Sequence, residues 1–419
     1  MNLFKLSYSY LRRRALISLL NILLLSFGIA TIVVLLLFSY QLEENLYSNA
    51  EGVDAVVGAK GSPIQLILSG IFHIDSPTGN IDLDEAKTLI RNPMVESAIP
   101  LALGDNYRGH RIVGTTKAYP DRYGSEIAEG VFWHRPFDVV LGADVAELEG
   151  LSIGDTIQSS HGFAEEGMTH QDSDMTVVGI LDDTGTVLDR LILTSVETMW
   201  GIHAPHSTTD QHEGDDHDHA GEAESDITET SYLSEEHSGE QITALLVSYR
   251  NPLAAAQFPR FVNERTSMQA AAPAIEITRL LNLLGVGLDA IRVFAYVLIL
   301  ASVLGIFIAL LNSMKERKYD LAIMRSLGGT RLKLFANVLL EGLMISLAGG
   351  LLGIALGHLA VELIGQSFAE ARQFAVTGFV LIPGEGWIIA LAAGIGLLSS
   401  VVPAIQAYNT DIAYTLSKT

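Results

Sequence analysis

The stretch ALISLLNILLLSFGIATIVVLLLFSY, residues 15–40, carries no charged side chain. About 20 apolar residues in a helix cross a hydrocarbon core of roughly 30 Å, so this run reads as a membrane-spanning helix. It is too long for a signal-peptide core, and no small-residue cleavage site precedes the acidic Glu43 and Glu44. We read it as a retained anchor. Three further runs of the same kind lie at Asp289–Ser313, Phe335–Ile364 and Glu385–Tyr408.

Charge orients these spans. Lys5, Arg12, Arg13 and Arg14 precede the first, and Lys315, Arg317, Lys318, Arg325, Arg331 and Lys333 fill the short loop between the second and third. By the positive-inside rule both face the cytoplasm. Between Gln41 and Leu288 there are 40 acidic and 13 basic residues, which places the formal charge of -22 in one outer segment and argues against nucleic-acid binding. The expected organisation is a cytoplasmic N-terminus at 1–14, spans at 15–40, 289–313, 335–364 and 385–408, and an extracytoplasmic domain at 41–288. A cytoplasmic loop at 314–334, an outer loop at 365–384 and a cytoplasmic C-terminus at 409–419 complete it. Such a chain is a multi-pass protein of the cytoplasmic (inner) membrane. Cysteine is absent, which removes thiolate metal sites and thiol nucleophiles.

Within the loop, KERKYDLAIMRSLGGTRLKLF (Lys315–Phe335) sets Leu321, Met324 and Leu327 at i, i+3 and i+6, the apolar stripe of a short helix that Gly328 and Gly329 end. That helix either lies on anionic membrane lipid or seats its apolar face in a groove of a cytoplasmic ATPase. In the third span Gly349, Gly353 and Gly357 form two successive GxxxG steps, suited to close helix packing within the monomer or between subunits. Glu341 and Glu362, toward the two ends of that span, are expected to reach for the headgroups.

The loop is similar to that of the MacB/FtsX family of ABC permeases, which reads ER, then a few residues, then an acidic residue followed by A-I-L-R-A-L-G-A. Glu316, Arg317, Asp320, the run Ala322–Leu327 with Arg325 inside it, and Gly328 stand at matching positions. SSVVPA at Ser399–Ala404 resembles the family's last span. VVLGADVAELEGLSIGD (Val139–Asp155) and MTVVGILDDTGTVLDRLIL from Met175 resemble its outer domain. The resemblance implies four transmembrane helices with a large extracytoplasmic α+β domain between helices 1 and 2. It also implies a permease dimer, homomeric or heteromeric, an ABC ATPase subunit, and a periplasmic or outer-membrane partner. The sequence has no GxxxxGK[ST] phosphate loop, so the ATPase, and the ATP, are expected on a partner chain.

In the outer segment, strand-like runs occur at Arg111–Thr115, Thr176–Leu181, Arg190–Thr194 and Ile242–Ser248, and helical patterns at Asp84–Arg91 and Pro252–Glu264. From Val53 to Leu83, glycines and prolines punctuate short apolar runs; GAKGS there lacks the spacing of a phosphate loop. An insert at 201–240 holds His203, His206, His212, His217, His219 and His237 with twelve acidic residues and no Lys or Arg. Imidazole and carboxylate are ligands for zinc and similar divalent ions, so the six histidines are candidate ligands of a weakly bound metal; no other cofactor is expected. No nucleophile elbow or HExxH occurs, and the chain is expected to be a non-catalytic subunit. Its expected function is to couple a partner's ATP hydrolysis to motion of the outer domain, for export or release of lipoprotein, peptide, drug or metal-linked cargo. The alternatives are an FtsX-like regulator of a cell-wall hydrolase and a membrane-anchored histidine-rich metal receptor.

Overall fold

A computed structural model describes residues 3–161, 169–203, 227–326, 328–367 and 376–409. The chain divides into two compact units, one built from Met1–Glu43 and Asn282–Thr419, the other from Glu44–Leu281.

The first unit holds a short helix, α1 (Leu3–Arg13), and four helices long and apolar enough to cross a membrane: α2 (Ala15–Ala50), α9 (Pro273–Glu316), α11 (Arg331–Ser367) and α12 (Glu385–Tyr408). Between α9 and α11 lies α10 (Lys318–Ser326). Helix α2 runs past Tyr40 and α9 begins well before Asp289. Hydropathy marks only the apolar part of a helix, and flanks rich in Leu, Glu and Gln continue it. Leu25, Ile29, Val33 and Leu37, four residues apart along α2, are all buried with Ile345 and Val361 of α11 and Ala392 and Ile395 of α12.

The glycines of α11 let α2 approach this closely. A Cβ built on Gly349 would lie 3.1 Å from Leu25 Cβ, one on Gly353 2.8 Å from Ile29 Cβ, and one on Gly357 2.6 Å from Val33 Cβ. Their face is therefore filled inside the monomer. Glu341 does not reach outward as expected: it is 3% exposed, because Arg317 supplies a counter-charge within the bundle. Glu362 accepts hydrogen bonds from Thr377 Oγ1 and Gly378 N, both at 2.9 Å, which fastens the loop before α12.

The second unit is a mixed α/β domain. In chain order it contains β1 (Ala55–Ala59), α3 (Pro63–Gly70), β2 (Ile81–Asp82), α4 (Leu83–Ile90), β3 (Val95–Tyr107), β4 (His110–Thr115), α5 (Ala118–Arg122), β5 (Ile127–Gly130), β6 (Asp138–Leu141) and α6 (Ala143–Glu149). Then come β7 (Thr156–His161), β8 (Thr169–Leu181), β9 (Ile192–Ser195), α7 (Val196–His203), β10 (Gln241–Ile242), β11 (Ala244–Tyr249), α8 (Ala254–Arg265) and β12 (Met268–Ala271). The main sheet runs β12-β1-β11-β3-β4-β9-β6-β8-β5, with β7 pairing β3 and β8, and β10 pairs β2 separately. Pairs β4–β9 and β6–β8 are parallel. Alternate strand residues such as Val57, Ile112, Val139, Val177 and Ile192 make its core with Leu89 of α4 and Phe258 of α8.

The glycine-punctuated segment after Val53 is thereby resolved into β1 and α3. Ser62 Oγ caps α3 by accepting from Gln65 N, with Pro63 in the first turn, a placement that suits its fixed φ. A Cβ on Gly58 would fall 2.5 Å from Leu66 Cδ1, so glycine there allows α3 to lie on β1.

Candidate coupling site

The residues singled out in the loop divide into an inward and an outward set. Leu321 is 1% exposed and packs with Met314, Leu334, Val338, Ala404 and Ala407, and Met324 lies against the same cluster. The expectation that Leu321 and Met324 face a partner is therefore corrected: the apolar stripe of α10 is covered by α11 and α12 of its own chain. Leu327 lies outside the described residues. The outward face of α10 carries Tyr319, Ile323 and Ser326, at i, i+4 and i+7, all exposed. Gly328 closes the helix with φ 96°, a left-handed conformation glycine adopts without penalty.

Arg317, at the joint between α9 and α10, is buried. Its Nη2 donates to both oxygens of Glu341 at 2.8 and 3.0 Å and to Ser313 Oγ, and its guanidinium lies 4.0 Å over the ring of Tyr10 on α1. Glu316, exposed, pairs with Arg14. Ser7 Oγ donates to Asn337 Oδ1 at 3.1 Å, so α1 is stitched to α11 beside the same pair. The two residues that begin the loop motif thus anchor α10 to α1 and α11 rather than present it. Asp320 lies on α10, and Arg325 is half-buried in its last turn. Tyr10 and Ser7 escaped sequence reasoning, since nothing local marks an N-terminal tyrosine as the lid of a buried cation.

A second polar node lies in the outer unit, and it too escaped sequence reasoning. Asn49, in the last turn of α2, accepts at its carbonyl from Arg122 Nη2 at 2.5 Å and from Tyr123 Oη at 3.3 Å. Its Oδ1 accepts from Val187 N at 2.8 Å. Tyr119, next along, meets buried His73 with 2.8 Å between Oη and Nε2. Burial, with Arg111, Arg190 and Arg122 nearby, lowers the His73 pKa to about 3, so this imidazole is neutral.

Of the six histidines, His206, His212, His217 and His219 lie outside the described residues. His203 ends α7, and His237 closes a 3₁₀ turn with its ring 4.8 Å from that of Trp200. Among the described residues no group of three His, Asp or Glu side chains is placed to hold a metal ion.

Two family profiles match the chain. The FtsX-like permease C-terminal family covers residues 292–412, and the MacB-like periplasmic core domain covers residues 18–257, more than half of the sequence. This chain belongs to the MacB/FtsX-like permease family. An uncharacterized ABC transporter permease protein of Mycobacterium tuberculosis is 24% identical over 376 residues, a match spanning 85% of this chain and 39% of that one. The chain therefore spans about two fifths of that relative's length. The crystal structure of the periplasmic region of MacB from Actinobacillus actinomycetemcomitans aligns with 56% of this chain and 97% of its own, at 10% identity and a TM-score of 0.33. The MacB/FtsX-like chain is a multi-pass membrane protein with an FtsX-like permease C-terminal region and a MacB-like periplasmic core domain.

Proposed function

We propose that this permease couples ATP hydrolysis on a separate ATPase chain to movement of its outer domain, and that the movement exports or releases cargo captured outside the cytoplasm. The supporting observation is the construction of the loop. Helix α10 is held from within by Leu321 and by the Arg317–Glu341 pair, while Tyr319, Ile323 and Ser326 remain on its outer face. A short rigid helix with one face fixed and the other open passes on a push from a docked partner. The basic residues flanking it support a cytoplasmic position for this loop and for both chain ends. The glycine face of α11 being filled internally, subunit pairing falls to other helix surfaces.

The test is purification of the tagged chain in mild detergent, mass identification of what co-elutes, and an ATP-hydrolysis assay. An ATPase should accompany the wild type, and Ile323→Asp should remove it while leaving the chain monodisperse. An eluate reproducibly free of ATPase overturns the coupling reading; an ATPase retained by Ile323→Asp overturns the assignment of the docking face.

A further inference from the structure

Glu362 is one of several groups that grip the loop before α12. Gln41 of α2 holds Thr377 at both backbone atoms, Oε1 accepting from its N–H at 2.8 Å and Nε2 donating to its carbonyl at 2.9 Å. His358 Nδ1 meets Gly378 O at 2.6 Å, and Glu385 Oε1 accepts from Ile382 N at 3.0 Å. The backbone from Thr377 to Glu385 is thus fixed against α2, α11 and the first turn of α12.

The side chains left outward are the wrong ones for water. Phe379, Trp387 and Leu381 are 83%, 80% and 79% exposed, above every other large apolar side chain among the described residues. The polar groups do the reverse. Glu362 and Glu385 turn to the loop's own backbone, and Glu385 lies 3.1 Å from His358 with 15% of its side chain exposed. From Val376 to Trp387 there is no Lys or Arg. A loop bathed in water keeps its carboxylates out and its aromatic rings in; an inverted loop between two membrane-spanning helices has the hydrocarbon boundary as its neighbour.

Depth agrees. No charged side chain lies between Trp387 and Tyr408, and that stretch of α12 rises about 32 Å at 1.5 Å per residue, the thickness of a hydrocarbon core. Tyr408 has the Arg331 guanidinium 5.8 Å from its ring centre, a pairing suited to one interface. Trp387 then falls at the other, where an indole keeps its ring among acyl chains and its N–H among headgroups.

We propose that Phe379, Leu381 and Trp387 form a wedge inserted into the leaflet opposite the α10 loop, and that phospholipid at the headgroup–acyl boundary covers this face. Because its backbone is held, the wedge fixes the depth of the whole α11–α12 hairpin. It does so whether or not an ATPase couples to α10.

The chain has three tryptophans, so the emission that Trp387→Phe removes is that of Trp387 alone. The full chain and this variant are reconstituted in phosphatidylcholine vesicles whose acyl chains carry bromine near either the carbonyl end or the methyl end. Rings at this boundary lie about 5–10 Å into it, so bromine near the carbonyl end should quench Trp387 roughly twofold. Bromine near the methyl end should quench it far less, and acrylamide in the water should reach it poorly. The absence of cysteine permits a second reading: a nitroxide attached at Phe379→Cys should meet oxygen more readily than a water-soluble nickel complex. Emission untouched by bromine but open to acrylamide puts the loop in water. Emission shielded from both puts a second copy or another protein on this face, and quenching strongest from the methyl end makes Trp387 an ordinary lipid-facing residue of a span. Each of these three results overturns the proposal.

Discussion

Arg317 and Glu341, on opposite sides of the loop helix, share a single guanidinium nitrogen between two carboxylate oxygens at 2.8 and 3.0 Å, both side chains buried. Removing one partner of such a pair strands a buried charge and costs about 3–5 kcal/mol, whereas replacing both with apolar residues of similar volume costs far less. Glu341→Ala should therefore lower the thermal midpoint in detergent markedly, and Arg317→Met combined with Glu341→Leu should recover most of it. A double variant no more stable than the single one would mean that the pair does not act as a unit.

Glycine positions on α11 and α12 should respond in opposite ways. Gly353 has no room for a Cβ, and Gly353→Leu should cost at least the roughly 1–3 kcal/mol typical of overpacking. Gly394 has no atom within 4 Å of a built Cβ, so Gly394→Ala should be neutral or should stabilise by about 0.5–1 kcal/mol through backbone entropy. Detergent melting curves of the two variants, measured side by side, check the contrast.

His73 makes the outer domain sensitive to acid. The unfolded chain takes up a proton near pH 6.5, while the native imidazole resists it until about pH 3, so between those values the unfolded state holds more protons. The contribution is intact above pH 6.5 and is lost as pH falls, by at most about 1.4 kcal/mol per unit, levelling off near pH 3. His73 adopts φ 53°, which asparagine tolerates. His73→Asn should flatten the loss of stability between pH 6.5 and 4; an unchanged profile would assign acid sensitivity elsewhere.

Asn49 should matter more than its place at a helix end implies. Its Oδ1 takes the buried N–H of Val187, and Asn49→Ala leaves that donor unsatisfied at a cost of about 1–3 kcal/mol. Chemical denaturation should show the loss. Asn49→Asp, which keeps an acceptor there, should restore a good part of it.

The membrane helices were legible because a run such as 15–40 has no other stable home, and β4 and α4 because their periodicities are clean. Strand β3 was not, because Pro100 and Gly104 interrupt it and Asp105 and Asn106 sit where an apolar alternation should continue. The loop shows the limit most clearly. Amphipathicity revealed that one face of α10 is buried but not what buries it, and Leu334, Val338 and Ala404 took the place assigned to a partner. The Arg317–Glu341 pairing depends on how two helices pack, which spacing alone does not encode.

The strand that opens the outer domain, β1, pairs antiparallel with the strand that closes it, β12, with Val56 opposite Ala271 and Ala59 opposite Met268. The chain thus comes in from α2 and departs toward α9 at the same edge of the same ribbon. Loads applied along both helices in step carry the sheet as one body. Loads that spread the helices open the β1–β12 ladder from its end, one rung after another, as a zipper is opened. The domain is stiff to a piston stroke and soft to a scissor stroke, a mechanical directionality written into one pair of strands.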